Sequence, residues 1–206
     1  MTEQRGLRSA PAAERNFLPI LGVLKREFKD ARRVVEIGAG TGQHAAGFAG
    51  ELNWLTWLPT DRQVNLADMH RWYEASARPN LEQPQALDVA ADTLPAESFD
   101  AAFSANTAHI MDTGAVRKMF RLLGNALEAG GRFCLYGPFR ENGAFSTESN
   151  ARFDASLRAS DPSMGIRDLA AIDADAEDAG LRRLRRFAMP GNNLMLVFER
   201  GTVSER

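Results

Sequence analysis

The stretch Val34-Val-Glu36-Ile-Gly38-Ala-Gly40-Thr-Gly42 decides the fold. A short apolar run with an acidic residue near its end passes directly into a glycine-rich turn, as a strand does when it feeds a ligand-binding loop at the start of a helix. Glycine permits the tight turn and lets a ligand approach the main chain where a side chain would stand in the way. The spacing discriminates between ligands. A dinucleotide fingerprint is G-x-G-x-x-G, and its third glycine would fall on position 43, which is Gln43. The chain has G-x-G-x-G instead, which argues against NAD or FAD. Glu36 points the same way, because a carboxylate beside the loop repels a pyrophosphate and suits a ligand with an ammonium and a sulfonium group. The plain alternative is a glycine-rich strand-turn-helix, and the acids at the ends of later strands count against it.

The 206 residues suffice for one domain with a large core, 1–206, and are few for two. A hydrophobic share of 44% with 25% charged residues fits an ordinary soluble globular protein. A formal net charge of -2 provides no electrostatic footprint for gripping a phosphate backbone, so no nucleic-acid partner is expected. Cys134, the only cysteine, excludes an intramolecular disulfide and a cysteine-based metal cluster, and its apolar surroundings suggest an inert core residue. The Met1–Arg5 start has no apolar leader and no run approaches membrane-spanning length, so a cytoplasmic protein without a membrane partner is expected.

Around the glycine motif, helical and extended periods alternate. Phe17, Ile20, Leu21, Leu24 and Phe28 predict a helix that begins near Pro19, within an N-terminal helical segment over 1–30. Gln43 to Glu51 follows as a helix, Trp54 to Leu58 as a strand ending at Pro59-Thr60-Asp61, and Asn65 to Ser76 as a helix. Gln85 to Asp88 and Phe99 to Ser104 are further strands; a helix over Gly114 to Leu127 is expected to stop at Ala129-Gly130-Gly131. Arg132 to Tyr136 is the fifth strand, Asp168 to Ala179 a helix capped by Gly180, and Arg182 to Phe187 with Leu194 to Phe198 a closing antiparallel hairpin. The stretch 138–167 has no clear period and is expected to form an irregular cover over the site. This alternation predicts an α/β fold, a mainly parallel sheet with helices on both faces.

The block E-x-G-x-G-x-G resembles the first motif of Rossmann-like, class I methyltransferases, which implies a seven-stranded sheet with an antiparallel C-terminal strand and S-adenosylmethionine as cofactor. The resemblance assigns Glu36, Gly38, Gly40, Thr41 and Gly42 to that cofactor, together with Asp61 as ribose-diol acceptor beside Arg62. It further gives Asp88 with the Val89 amide the adenine edge. Asp61 lies about 20 residues past the loop, where doubly wound folds place such an acid. Asn106 and His109 follow the fourth strand, at the methyl-transfer position of this fold. They are candidate catalytic residues with Tyr136, Asn106 also facing the cofactor and His109 weighed as a base against a structural histidine. His44 reads as a packing residue, and the arginine doublets of Leu181-Arg-Arg-Leu-Arg-Arg-Phe187 as a solvated strand edge. With neither a G-x-S-x-G elbow nor an H-E-x-x-H arrangement, neither a serine hydrolase nor a metal site is expected.

A closer resemblance covers most of the chain. Pro11-Ala-Ala-Glu-Arg-Asn16, Gly40-Thr-Gly-Gln-His44, Tyr136-Gly-Pro-Phe139, Glu148-Ser-Asn150 with Phe153-Asp154, Gly165-Ile-Arg-Asp168 and Met189-Pro-Gly-Asn-Asn193 are similar to the methyltransferase-like protein 26 family, catalogued as domain of unknown function 938. Two departures from its pattern stand out, one over a segment and one at a single position. Where the family has N-M-I-H-I-S-P-W, this chain has Asn106-Thr-Ala-His109-Ile-Met111-Asp-Thr, and Met164 replaces the Trp before Gly-Ile-Arg-Asp.

These readings predict an S-adenosylmethionine-dependent methyltransferase with a small-molecule acceptor. Arg15, Asn16 and Arg167 are expected at the acceptor, the two guanidiniums favouring one with a carboxylate or phosphate, against the plain alternative that they pair with Glu14, Asp154 or Asp168 and hold the cover shut. The competing readings are a non-catalytic S-adenosylmethionine-binding or scaffold protein and a short NAD-dependent oxidoreductase.

Overall fold

A computed structural model describes residues 7–9 and 11–201; Met1–Arg5, read above for a leader, lie outside them. Helix α1 (Pro11–Glu27) precedes β1 (Arg33–Ile37), α2 (Gln43–Glu51), β2 (Thr56–Asp61), α3 (Leu66–Ser76), the two-residue β3 (Gln85–Ala86) and β4 (Phe99–Ala105). The second half runs α4 (Thr113–Ala126), β5 (Leu127–Gly137), β6 (Phe139–Glu141), β7 (Ala144–Phe145), α5 (Glu148–Ser160), β8 (Arg167–Asp168), α6 (Leu169–Asp178), β9 (Leu181–Met189) and β10 (Asn193–Arg200).

Seven strands form the main sheet in the order β3-β2-β1-β4-β5-β10-β9. The first five are parallel, and β10 runs antiparallel to both β5 and β9. From β1 the chain steps outward through β2 and β3, then returns to the other side of β1 with β4. That reversal opens a crevice beyond the carboxyl ends of β1 and β4, where ligands bind in open α/β sheets.

Strand alternation divides the core. Val35, Ile37, Ala102, Phe133 and Leu135 face a layer that includes Phe120 and Leu123 of α4 and Ile172 of α6. Val34, Ala101, Phe103, Cys134 and Tyr136 face the side of α1 and α2, with Ile20, Leu24, Phe48 and Trp57. Cys134 is fully buried, as its apolar setting suggested. No helix among the described residues is long and apolar enough to cross a membrane.

Several boundaries differ from the sequence reading. Helix α1 begins at Pro11 and carries Pro19 in its interior. Pro19 removes the hydrogen bond to the Arg15 carbonyl, but the buried stripe of Ile20, Leu21 and Leu24 holds the helix in place through packing. Strand β2 extends through Pro59, which pairs in register with Glu36. Ala129-Gly130-Gly131 does not cap α4; Leu127 is already extended, and the glycines sit in an irregular start of β5 with Gly130 at φ +80°.

The largest correction concerns 138–167, which forms regular elements over most of its length. Strands β6 and β7 form a hairpin around Asn142 and Gly143, both with positive φ, and β6 pairs with β8 in a second, three-stranded sheet. Helix α5 then starts at an N-cap, where the Thr147 hydroxyl accepts from the Asn150 amide. Its buried positions are Asn150 and Asp154, polar residues one helical turn apart, so no hydrophobic period marks it.

Candidate active site

The crevice between β1 and β4 holds a cleft of about 530 Å³, within the usual range for small-molecule sites. Its floor comes from the glycine loop. Gly38 has φ +73°, and a Cβ there would lie 2.3 Å from Cγ2 of Thr107, so the loop packs against the segment after β4 only because position 38 has no side chain. Gly40 also has positive φ, but a Cβ would meet open space, which leaves room against the main chain for a ligand.

Asp61, at the end of β2, forms one wall. Its Oδ2 accepts from Gly40 N at 2.7 Å, and its Oδ1 accepts from Arg62 N at 2.7 Å and Asn65 Nδ2 at 2.8 Å. An ionised carboxylate has about four acceptor positions, so this fixed group keeps one on Oδ2. Arg62, Asp88 and Val89 also line the cleft. Asp88 is exposed and closes a turn, its Oδ1 accepting from Ala90 N and its own amide donating to Asp92. Leu87, Ile110 and Met111 add apolar surface.

Asn106 faces this cleft from the end of β4 with φ +59°, and its amide donates to the Tyr136 carbonyl at 2.9 Å. A non-glycine residue in this conformation carries strain, a feature concentrated at functional sites. His109 is buried behind the cleft lining. Its ring meets Phe153 of α5 edge-on at 5.2 Å, and burial, followed by the Arg167 charge, pushes its pKa down to about 4. The imidazole is therefore neutral at ordinary pH.

Glu36 lies elsewhere than expected. It is 1% exposed and does not line the cleft; strand alternation turns it toward the α1–α2 side, where Trp57 Nε1 donates to it at 2.8 Å. Burial pushes its pKa up to about 8, the Trp57 bond works against that, and Asp61 adds repulsion.

On that same side lies a polar chain that sequence reading did not assemble. His44 Nε2 sits 2.8 Å from Asn16 Oδ1 and 3.3 Å from the Ala13 carbonyl. Both partners are acceptors, so Nε2 carries the proton. The Asn16 side chain also hydrogen-bonds the Tyr136 phenol, whose oxygen accepts from Asn193 Nδ2 at 3.0 Å. Burial raises the Tyr136 pKa, keeping the phenol protonated. Four separated motif pieces thus meet in one network. Thr41 stands apart from it, accepting weakly from Gln43 N.

The two arginines expected at the acceptor do not converge on the cleft. Arg15 is exposed on α1 and does not line it. Arg167 is buried, and its guanidinium donates to the carbonyls of Ala108 at 3.0 Å, Ser163 at 2.8 Å and Met111, which fastens the segment after β4 to the turn before β8. The β9 doublets are held by carboxylates: Arg183 by Asp173 at 2.9 Å, Arg186 by Glu141 at 2.7 Å, Arg185 by Glu27 and Arg182 by Glu199.

Residues 7–200 match the model of the family described as Protein of unknown function (DUF938). The chain belongs to this family. Among solved structures, this DUF938 chain superimposes on the S-adenosylmethionine-dependent methyltransferase SibL with a TM-score of 0.77 at 19% identity, over 93% of this chain and 56% of that one. An O-methyltransferase family protein from Burkholderia thailandensis gives 0.78 at 16% identity, covering 94% and 58%. Human N-acetylserotonin methyltransferase in complex with S-adenosylmethionine gives 0.77 at 14%, covering 93% and 53%. The DUF938 fold is thus the Rossmann-like fold of S-adenosylmethionine-dependent methyltransferases, in a chain spanning little more than half the length of each of these proteins.

Proposed function

We propose that this chain is an S-adenosylmethionine-dependent methyltransferase that binds its cofactor in the cleft between β1 and β4 and serves a small-molecule acceptor. The observation that carries this reading is the fixed Asp61 carboxylate, locked by Gly40, Arg62 and Asn65 with one acceptor position left at the cleft wall. Such a group suits a ribose hydroxyl. The open space over Gly40 fits a ligand laid along the main chain, and Leu87, Val89, Ile110 and Met111 suit a flat base.

The cofactor supplies an activated methyl on a sulfonium, so the protein has chiefly to position an acceptor atom and exclude water. Alignment alone is worth effective molarities on the order of 10⁵ M or more. Asn106 would orient groups at the cleft end of β4. His109, neutral through burial and too weak a base at a pKa near 4 to take a proton efficiently at neutral pH, would orient an acceptor approaching from the α5 side by a hydrogen bond. Asn16, Tyr136, His44 and Asn193, outside the cleft, would hold α1 and α2 against the ends of β5 and β10. The test is methyl transfer from radiolabelled S-adenosylmethionine into cell extract, separated into small-molecule, protein and RNA fractions. Label in the small-molecule fraction supports the proposal; label confined to protein or RNA, or no transfer by a protein that binds the cofactor, refutes it.

A further inference from the structure

Among the described residues, four buried side-chain nitrogen or oxygen atoms have no hydrogen-bond partner: Arg132 Nη1, Asp173 Oδ1, Arg183 Nη1 and Arg140 Nε. The first three belong to ion pairs, Arg132 with Glu199 at 2.5 Å and Arg183 with Asp173 at 2.9 Å. Arg140 has neither hydrogen bond nor ion pair from its guanidinium, whose Cζ lies over the Phe145 ring at 5.6 Å. The Nε–H of this half-exposed residue is withdrawn from water without an acceptor, a cost that an anion at the guanidinium would offset.

The carboxylates around Arg140 are committed to other groups. Asp154 accepts from Arg158 Nε at 2.8 Å and from Ile166 N at 2.7 Å. Asp168, its register partner on β8, accepts from Gly143 N at 2.6 Å and Ala170 N at 3.0 Å. Glu141 accepts from Arg186. Positive charge accumulates as well: the Arg167 pKa is lowered by burial first, then by Arg158 and Arg140, against the opposing pull of Asp112 and Asp154.

Arg140 lies outside the cleft lining and follows Phe139, the register partner of Arg167, whose charge reaches the His109 ring. Strand β6 leaves the sheet just past Gly137, where a Cβ would lie 3.8 Å from His109 Nδ1. Consecutive residues of α5 join the two groups, Phe153 packing on the His109 ring and Asp154 lying within the electrostatic reach of Arg140. Phe153 is 41% exposed and Ile110, on the cleft rim, 48%, which gives the approach an apolar border.

We propose that Arg140 is the anion-binding residue of the acceptor site, receiving a carboxylate or phosphate borne by the methyl acceptor. This rests on the methyltransferase reading and moves the anion contact expected of Arg15 and Arg167 to a residue whose guanidinium has no hydrogen bond or ion pair among the described residues.

The test is a titration of the intact protein, labelled with ¹⁵N-arginine and loaded with S-adenosylhomocysteine, with inorganic phosphate. The Arg140 Nε–H resonance is expected to shift saturably, and phosphate affinity to fall at least tenfold in Arg140→Gln and less in Arg140→Lys, as for a charge-assisted contact. No saturable shift in the wild-type protein, or equal phosphate affinity in a folded Arg140→Gln, overturns the proposal. If Arg140→Gln fails to fold, the wild-type resonance and Arg140→Lys decide. Calorimetry with S-adenosylhomocysteine on the same samples keeps the two claims apart: absence of cofactor binding defeats the methyltransferase reading, whereas cofactor binding without a phosphate response defeats only the role of Arg140.

Discussion

The Trp57 indole donates to the Glu36 carboxyl over 2.8 Å inside the sheet, and this buried acid sets how stability responds to base. Folding raises the Glu36 pKa from 4.5 to about 8, so above pH 4.5 the folded chain holds a proton that the unfolded chain has lost, and stability falls as pH rises toward 8. His44 and His109 act in the opposite sense. Burial lowers both from 6.5 to about 4, so their contribution is complete above pH 6.5 and is lost as pH falls toward 4. Between pH 4.5 and 6.5 the two histidines outweigh Glu36, and above 6.5 Glu36 acts alone. Denaturant unfolding should therefore show maximal stability near pH 6.5, with a decline of up to about 1.4 kcal/mol per pH unit toward pH 8. Glu36→Gln should abolish that decline; its persistence in the variant would trace the effect to another group.

Gly38 and Gly40 should fail differently when given a methyl group. Gly38→Ala drives Cβ into Thr107, whose hydroxyl is tied to Ser104, and should cost about 2–4 kcal/mol of stability from strain and overpacking. Thr107→Ser removes the clashing methyl and should restore part of it in a double-mutant cycle. Gly40→Ala meets open space, so it should weaken cofactor affinity more than Gly38→Ala for a smaller loss of stability. Equal effects at the two sites would argue against a ligand cradle at Gly40.

Arg167 is assigned to holding the molecule together. Lysine lacks the fork that spans the carbonyls of Ala108, Met111 and Ser163, and each hydrogen bond to a charged group is worth about 1.5–3 kcal/mol. Arg167→Lys should lower stability in denaturant by at least about 2 kcal/mol. Unchanged stability with selective loss of acceptor affinity would return Arg167 to the substrate.

Glycine spacing and apolar runs made β1, β4 and the loop between β1 and α2 legible, because both features report local backbone geometry. The start of α1 was misplaced since the proline rule treats a helix in isolation, while Ile20, Leu21 and Leu24 anchor this one by packing. Helix α5 left no period because it buries Asn150 and Asp154. Glu36 was found by its motif, yet its direction follows from strand alternation relative to a face that only the assembled sheet defines. Arg167 and Asn193 each sit in a family motif, but the carbonyls of Ala108 and Met111 and the Tyr136 phenol that they bind lie far along the chain and carry no local signal.

Calorimetric titration of the purified protein with S-adenosylmethionine and with NAD, in the wild type and in Asp61→Ala, tests the cofactor assignment most directly. Loss of a charged hydrogen bond predicts roughly tenfold or weaker S-adenosylmethionine binding in the variant, with no NAD binding by either protein. Tight NAD binding, or the same S-adenosylmethionine affinity with and without the Asp61 carboxylate, would contradict it.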